Sequence, residues 1–336
     1  MKKLLKIAFF GLLGLIGLLA LVLLFVGVRG IPSYEVNMPQ ELKAITVEVT
    51  PERVARGEKI ALVMCNACHA NNDNRLVGKH IADLPAEFGK AYSLNITQDE
   101  EDGIGTWTDG EIIYFLKTGI KRNGQFAPIM PKFPRMANDD IKAVVAYLRS
   151  DRFPVQATKG KGHAQEPSLL LKILAHTVMK PIELAKEPIL VPDSTNMVAF
   201  GKYIANDLIA CYACHSGDFS KQNPLHPEQS FRFYGGGIQM PNLEGKLIAS
   251  ANLTFDEETG IANKYNETQF VEAVRLCKKP DGTMLRYPMQ PHLTLTDHEV
   301  KAIYAYLKTI PKIKYDVNNT NVKNWQCKSY GVSETS

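Results

Sequence analysis

Beyond residue 30 this chain has no net charge. Over 336 residues it carries 39 Lys and Arg against 35 Asp and Glu. Lys2, Lys3, Lys6 and Arg29 all fall within the first 30 residues, where there is no acid, so the remainder balances at 35 against 35. That balance removes any overall electrostatic case for nucleic acid or for an anionic substrate. Strand signals are also nearly absent, and with them the alternating strand and helix pattern in which a thioredoxin-like cysteine pair sits. Cysteine is scarce, at 6 residues. Four of them fall into two short motifs, which leaves Cys277 and Cys327.

One long apolar run is present. Ile7 to Val28 is 22 uncharged residues, preceded by three lysines and closed by Arg29. Crossing a bilayer core takes roughly 20 apolar residues. A cleaved signal peptide would have an apolar region of about 7 to 15 residues and a small-x-small site, and no A-x-A-like site closes this run. The reading is an uncleaved signal anchor in a bacterial inner membrane. Its lysines lie in the cytoplasm and the rest of the chain in the periplasm.

Cys65-Asn66-Ala67-Cys68-His69 returns 146 residues later as Cys211-Tyr212-Ala213-Cys214-His215. In C-x-x-C-H the two thiols are spaced for thioether bonds to the vinyl groups of one haem, and the His is the proximal iron ligand. A four-cysteine zinc site would not require a His after each pair. The motifs therefore predict two covalently attached haem c groups, on Cys65, Cys68 and His69 and on Cys211, Cys214 and His215. In the oxidising periplasm the leftover Cys277 and Cys327 most simply form a disulfide that ties the tail to the second half of the chain.

The motifs sit inside a longer repeat. Met130 to Leu148 lies over Met289 to Leu307 without a gap, and Asn95-Ile96-Thr97 with Gly103-Ile104 matches Asn252-Leu253-Thr254 with Gly260-Ile261. Each unit reads as helix, motif, long loop, helix, Met-containing loop, helix. Thr50 and Pro51 open the first helix, in which Val54, Gly57, Ile60, Ala61 and Met64 recur at helical spacing. Val198, Gly201, Ile204, Ala205 and Leu208 are their counterparts. Asn138 begins one final helix, and Thr296 with Glu299 forms a capping box before the other. The glycine in each first helix lets the last helix cross closely, with Tyr147 or Tyr306 nearby.

These residues resemble the class I cytochromes c, and more narrowly the multihaem cytochrome subunits of bacterial membrane dehydrogenases. The resemblance covers residues 50–150 and 194–310. It implies an all-α fold of two tandem class I cytochrome c domains after an N-terminal transmembrane helix. It also implies a distal iron ligand from the Met upstream of the last helix, here Met130 and Met289, each 17 positions before the helix tyrosine. Met136 aligns with Leu295 and reads as core. Met64, Met240 and Met284 lack repeat support, as do His80, His163, His176, His226, His292 and His298. Trp107 and Tyr265 are expected to wall the haem pockets. The chain departs from the pattern in having Met289-Gln290-Pro291 where the first unit has Met130-Pro131. It also has two motifs where the best-known subunits have three.

The resulting organisation is 1–30 anchor, 31–49 linker, 50–150 first domain, 151–193 connector, 194–310 second domain and 311–336 tail. Within the connector, Ser168 to Met179 reads as a short apolar helix, packed between the domains or lying on the membrane. With His and Met on each iron there is no vacant site for a substrate. The expected role is electron carrier or electron-transfer subunit rather than enzyme, with the membrane and redox proteins as partners (a dehydrogenase, an oxidase or a soluble cytochrome) and no nucleic acid. The alternative is a dihaem oxidoreductase, thiosulfate dehydrogenase-like or peroxidase-like, with one open haem or with Cys277 as a thiolate ligand.

Overall fold

The structure, a computed structural model, describes residues 2–82, 84–160 and 162–317. Cys327, and with it the expected disulfide to Cys277, lies outside the described residues. In chain order the helices are α1 (Lys2–Arg29), α2 (Gln40–Lys43), α3 (Pro51–Met64), α4 (Asn66–His69), α5 (Asp109–Thr118), α6 (Asn138–Leu148), α7 (Leu169–Thr177), α8 (Met197–Lys202), α9 (Cys211–His215), α10 (Glu267–Leu276) and α11 (Asp297–Leu307). Among the described residues, strand is confined to two short antiparallel pairs, β1 (Gly89–Lys90) with β2 (Glu166–Pro167) and β3 (Gln239–Pro241) with β4 (Leu247–Ala249). The fold is mostly helical.

Local chemistry starts these helices, at Thr50 and Thr296 where the sequence signals place it. Thr50 Oγ1 accepts the Arg53 N–H at 3.3 Å with Pro51 at the first helical position of α3. Capping boxes open α5 (Thr108 and Glu111), α10 (Asn266 and Gln269) and α11 (Thr296 and Glu299), satisfying amide donors that a helix start leaves free. α5 ends on Gly119 in the left-handed conformation, φ 80°. The corresponding position after α10 is Cys277, also left-handed at φ 54°.

Two crossings organise the core. α6 passes over α3 at Gly57, where a Cβ would be driven into the Ala143 carbonyl and against Tyr147. α11 passes over α8 at Gly201, where a Cβ would meet the backbone of Ala302 and Ile303. Tyr147 is fully buried at the first crossing. In the second unit Tyr306 Oη accepts from Asn206 Nδ2 at 2.9 Å, and Tyr234 Oη donates to Asn206 Oδ1 at 2.8 Å. A strap closes each unit after its last helix: Asn95 Nδ2 donates to the Thr158 carbonyl at 2.9 Å, and Asn252 Nδ2 to the Ile313 carbonyl at 2.7 Å. This explains the repeated Asn-x-Thr, and it carries each unit's hydrogen bonding past residues 150 and 310.

Three arrangements are more specific than the sequence expectation. Residues 31–49, expected as a linker, pack along the first unit. Tyr34 N donates to Gly124 O at 2.8 Å, Val47 N donates to Asp109 Oδ2 at 2.8 Å, and Leu42 closes on Gly110 of α5. The short connector helix α7 packs on the end of α1 and on the first unit, not between the two units. Between Gly201 and Cys211 there are two more residues than between Gly57 and Cys65. A wider π turn at Tyr203–Leu208 and a left-handed Ala210 (φ 49°) take them up.

The units join through buried charge. Arg56 on α3 holds Asp140 on α6 with two bonds of 2.7 Å, and Tyr203 Oη donates to the same carboxylate at 2.6 Å. Lys59 reaches Glu299 at 2.5 Å, and Arg135 reaches Asp207 at 2.6 Å. One apolar cluster runs through both units.

Candidate functional site

The first motif occupies a single helical turn. His69 N donates to Cys65 O at 2.9 Å and Cys68 N to the same oxygen at 3.2 Å, so Cys65, Cys68 and His69, at i, i+3 and i+4, share one face. Two loop residues support that turn: Ser93 Oγ donates to Cys68 O at 2.5 Å and Gly78 N to His69 O at 2.9 Å. His69 is buried, with Nδ1 2.8 Å from the Leu94 carbonyl. A carbonyl only accepts, so Nδ1 carries the proton and Nε2 is left with a free lone pair. A carbonyl that accepts from the far ring nitrogen orients a metal-binding imidazole in this way. Burial lowers the imidazole pKa, partly offset by the bond to Leu94 and lowered further by Lys79, which keeps the ring neutral and able to ligate.

Cys65, Cys68, His69 and Met130 line one cavity of about 370 Å³ whose surface is overwhelmingly apolar. Trp107 is in its wall, as expected. Sequence reading missed Ile31, Lys121, Gln125 and Leu171, which also line it. Leu171 lies in the apolar run of α7, where composition showed an apolar helix but not what it covers. Burial first, then the neighbouring Cys68, pushes the Cys65 thiol up to about 12. A thiol so reluctant to ionise does not suit a redox nucleophile. Among the described residues no three His, Cys, Asp or Glu side chains gather as a metal cluster, so the two cysteine pairs do not form one zinc site. The residues present fit an iron porphyrin: two adjacent thiols, one neutral oriented imidazole, a thioether and an apolar enclosure.

The second motif repeats this frame. His215 Nδ1 lies 3.0 Å from the Ala251 carbonyl, and Gly236 N donates to His215 O at 2.8 Å. Burial lowers the His215 pKa, against the bond to Ala251, and the Cys211 thiol is pushed up to about 12, mainly by burial. Met289 is half-buried and its carbonyl accepts from Cys277 Sγ at 3.8 Å. Tyr265 packs on the core, and its carbonyl accepts from Tyr304 Oη at 3.0 Å. His292, set aside as lacking repeat support, donates its N–H to Val274 O at 3.0 Å just as Phe133 does to Leu116 O at 2.9 Å. Its ring lies near His215, whose charge is the second cause, after burial, of its lowered pKa. Met136 is a core residue, as expected, while Met284 is exposed.

Residues 54–151 match the family model for cytochrome c. Among curated proteins, the chain is 28% identical over 274 residues to the fructose dehydrogenase cytochrome subunit of Gluconobacter japonicus, covering 77% of this chain and 52% of that one. It is 26% identical over 278 residues to the cytochrome c subunit of the quinone alcohol dehydrogenase of Gluconobacter oxydans, covering 77% and 55%. To a dihaem cytochrome c-type protein of Cereibacter sphaeroides it is 26% identical over 276 residues, covering 77% and 86%. The chain thus spans about half the length of the two dehydrogenase subunits.

Proposed function

We propose that this chain, a member of the cytochrome c family, is a dihaem electron carrier held on the periplasmic face of the inner membrane by α1. It transfers electrons from a dehydrogenase or other respiratory donor to a terminal oxidase or soluble cytochrome. The observation that carries the reading is the doubled site frame: in each unit a C-x-x-C-H turn has its imidazole Nδ1 bonded to the carbonyl just before the repeated Asn-x-Thr. In this reading the second unit is a cytochrome c domain like the first, and α1 is the single membrane span.

Haem supplies a one-electron ferric/ferrous couple. The chain's residues decide what that couple can do. His69 and His215 hold their protons on Nδ1, so electron transfer requires no proton movement at either imidazole. Met130 and Met289 would hold the iron through their thioethers, which would favour the reduced state. The apolar wall of the first cavity excludes water and limits reorganisation on oxidation,. The joint built on Asp140, Glu299 and Asp207 fixes the two sites relative to one another. The relatives named as dehydrogenase subunits support a dehydrogenase as donor.

A redox titration of the purified holoprotein with and without carbon monoxide tests this. Two one-electron waves and reduced spectra unchanged by carbon monoxide are expected. A haem that readily takes up carbon monoxide, or turnover with peroxide or thiosulfate, supports the catalytic alternative instead.

A further inference from the structure

The proposed function leaves α7 unexplained. Its nine residues present three faces. Leu171 and Ala175 are buried on the first unit, Leu171 as part of the cavity wall. A second face meets the end of α1. There Lys172 Nζ donates to Gly27 O at 2.8 Å, His176 Nε2 donates to Gly30 O at 3.0 Å, and Leu169 Cδ1 packs over Gly27. On the open surface Leu169 and Leu170 are each 44% exposed and, just past the helix end, Val178 is 70% exposed, beside the exposed Thr177.

The carbonyls that α7 grips mark a level. The uncharged run of α1 ends at Val28, and Arg29 follows. Gly27 and Gly30 therefore lie where the helix leaves the hydrocarbon, if α1 spans the bilayer as the proposed function has it. An element bonded to both sits at the headgroup boundary. Lys172 follows the exposed leucines and Lys180 follows Val178, their ammonium groups donating to the Gly27 and His176 carbonyls, so apolar side chains and the basic groups of an interfacial helix lie together at this level.

We propose that α7 is an interfacial helix, seated in the headgroup and acyl boundary of the bilayer that α1 crosses, which holds the first haem site against the membrane surface. The inference rests on α1 being an anchor. Phospholipid is its occupant: the exposed face is continuous with the end of the span, and Leu171, on the opposite side, reaches the haem cavity.

The test uses full-length holoprotein in phosphatidylcholine nanodiscs doped with a phospholipid that carries a diazirine near the acyl carbonyl. After illumination, labelled peptides are mapped by mass spectrometry. Label is expected on α1 and on peptides spanning Leu169 to Val178. Label on α1 alone would overturn the proposal while leaving the anchor intact, and would hand the apolar face of α7 to a protein partner. Label on neither would overturn the anchor, and this inference with it. The double variant Leu170→Asp, Val178→Asp is expected to lower α7 labelling about fivefold with α1 labelling unchanged, and unchanged α7 labelling would count against the assignment.

Discussion

Replacing Asp140 with Ala strikes the joint between the two units. The carboxylate is 3% exposed and accepts three hydrogen bonds, two at 2.7 Å from Arg56 and one at 2.6 Å from the Tyr203 phenol. Removing one member of a buried ion pair costs roughly 3–5 kcal/mol, because the partner stays desolvated and uncompensated. Two features moderate that cost: Arg56 keeps 28% of its side-chain surface in solvent, and Glu299 Oε1 remains 3.4 Å from it. Tyr203 Oη still accepts the Ala137 N–H at 3.2 Å, but its own proton loses its acceptor. The expected destabilisation is about 3 kcal/mol. Urea unfolding of the holoprotein in mild detergent, followed by far-UV circular dichroism and by Soret absorbance, measures it. A Lys159→Ala variant, which removes an exposed partner of Glu101, is the control. A midpoint for Asp140→Ala indistinguishable from that control would refute the view that this network joins the units.

Further consequences follow from particular residues. Gly57→Ala and Gly201→Ala each push a methyl into a crossing backbone, and each is expected to cost about 1–3 kcal/mol in the same assay. Lys117 is buried, its ammonium bonded to Met136 O and Asn138 Oδ1, and burial brings its pKa from 10.5 down to about 8. The unfolded lysine keeps its proton to higher pH, so between about 8 and 10.5 the unfolded state binds more protons and stability rises with pH,. In Lys117→Met that rise, roughly 2–3 kcal/mol, should disappear from urea midpoints taken across the range. Met130→Ala and Met289→Ala should each lower one haem potential by on the order of 0.1 V, within the span axial ligands command, and an unshifted titration would remove that methionine from the iron.

Much of each unit was legible because its signals are local. Thr50 with Pro51, the box of Thr296 with Glu299, and the apolar faces of α3, α6 and α11 depend on neighbours within a turn or two. Gly57 and Gly201 announced the helix crossings because a glycine at matching points of two repeats has a shared packing reason. The C-x-x-C-H motifs located both histidines, but not the carbonyls of Leu94 and Ala251 that orient them, which lie 25 and 36 residues away. Arg56 and Glu299 are 243 residues apart, and nothing local to either reports the other. The segment 31–49 carries no strong periodicity, so nothing in it reported that Val47 and Leu42 pack on the first unit. Equal spacing from glycine to cysteine in both repeats would have indicated matching helices. The two added residues instead required the π turn before Cys211, which no residue pattern marks. His292 aligns with a phenylalanine and looked like an isolated residue until the fold set it near His215.

The most direct test of the account is the number of haems covalently held by the exported protein, from intact mass under denaturing conditions together with the pyridine haemochrome ratio. The account predicts two per wild-type chain, and one per chain when Cys211 and Cys214 are both replaced by Ser. A wild-type chain with one haem or none, or a Cys211→Ser, Cys214→Ser variant that still holds two, would contradict it.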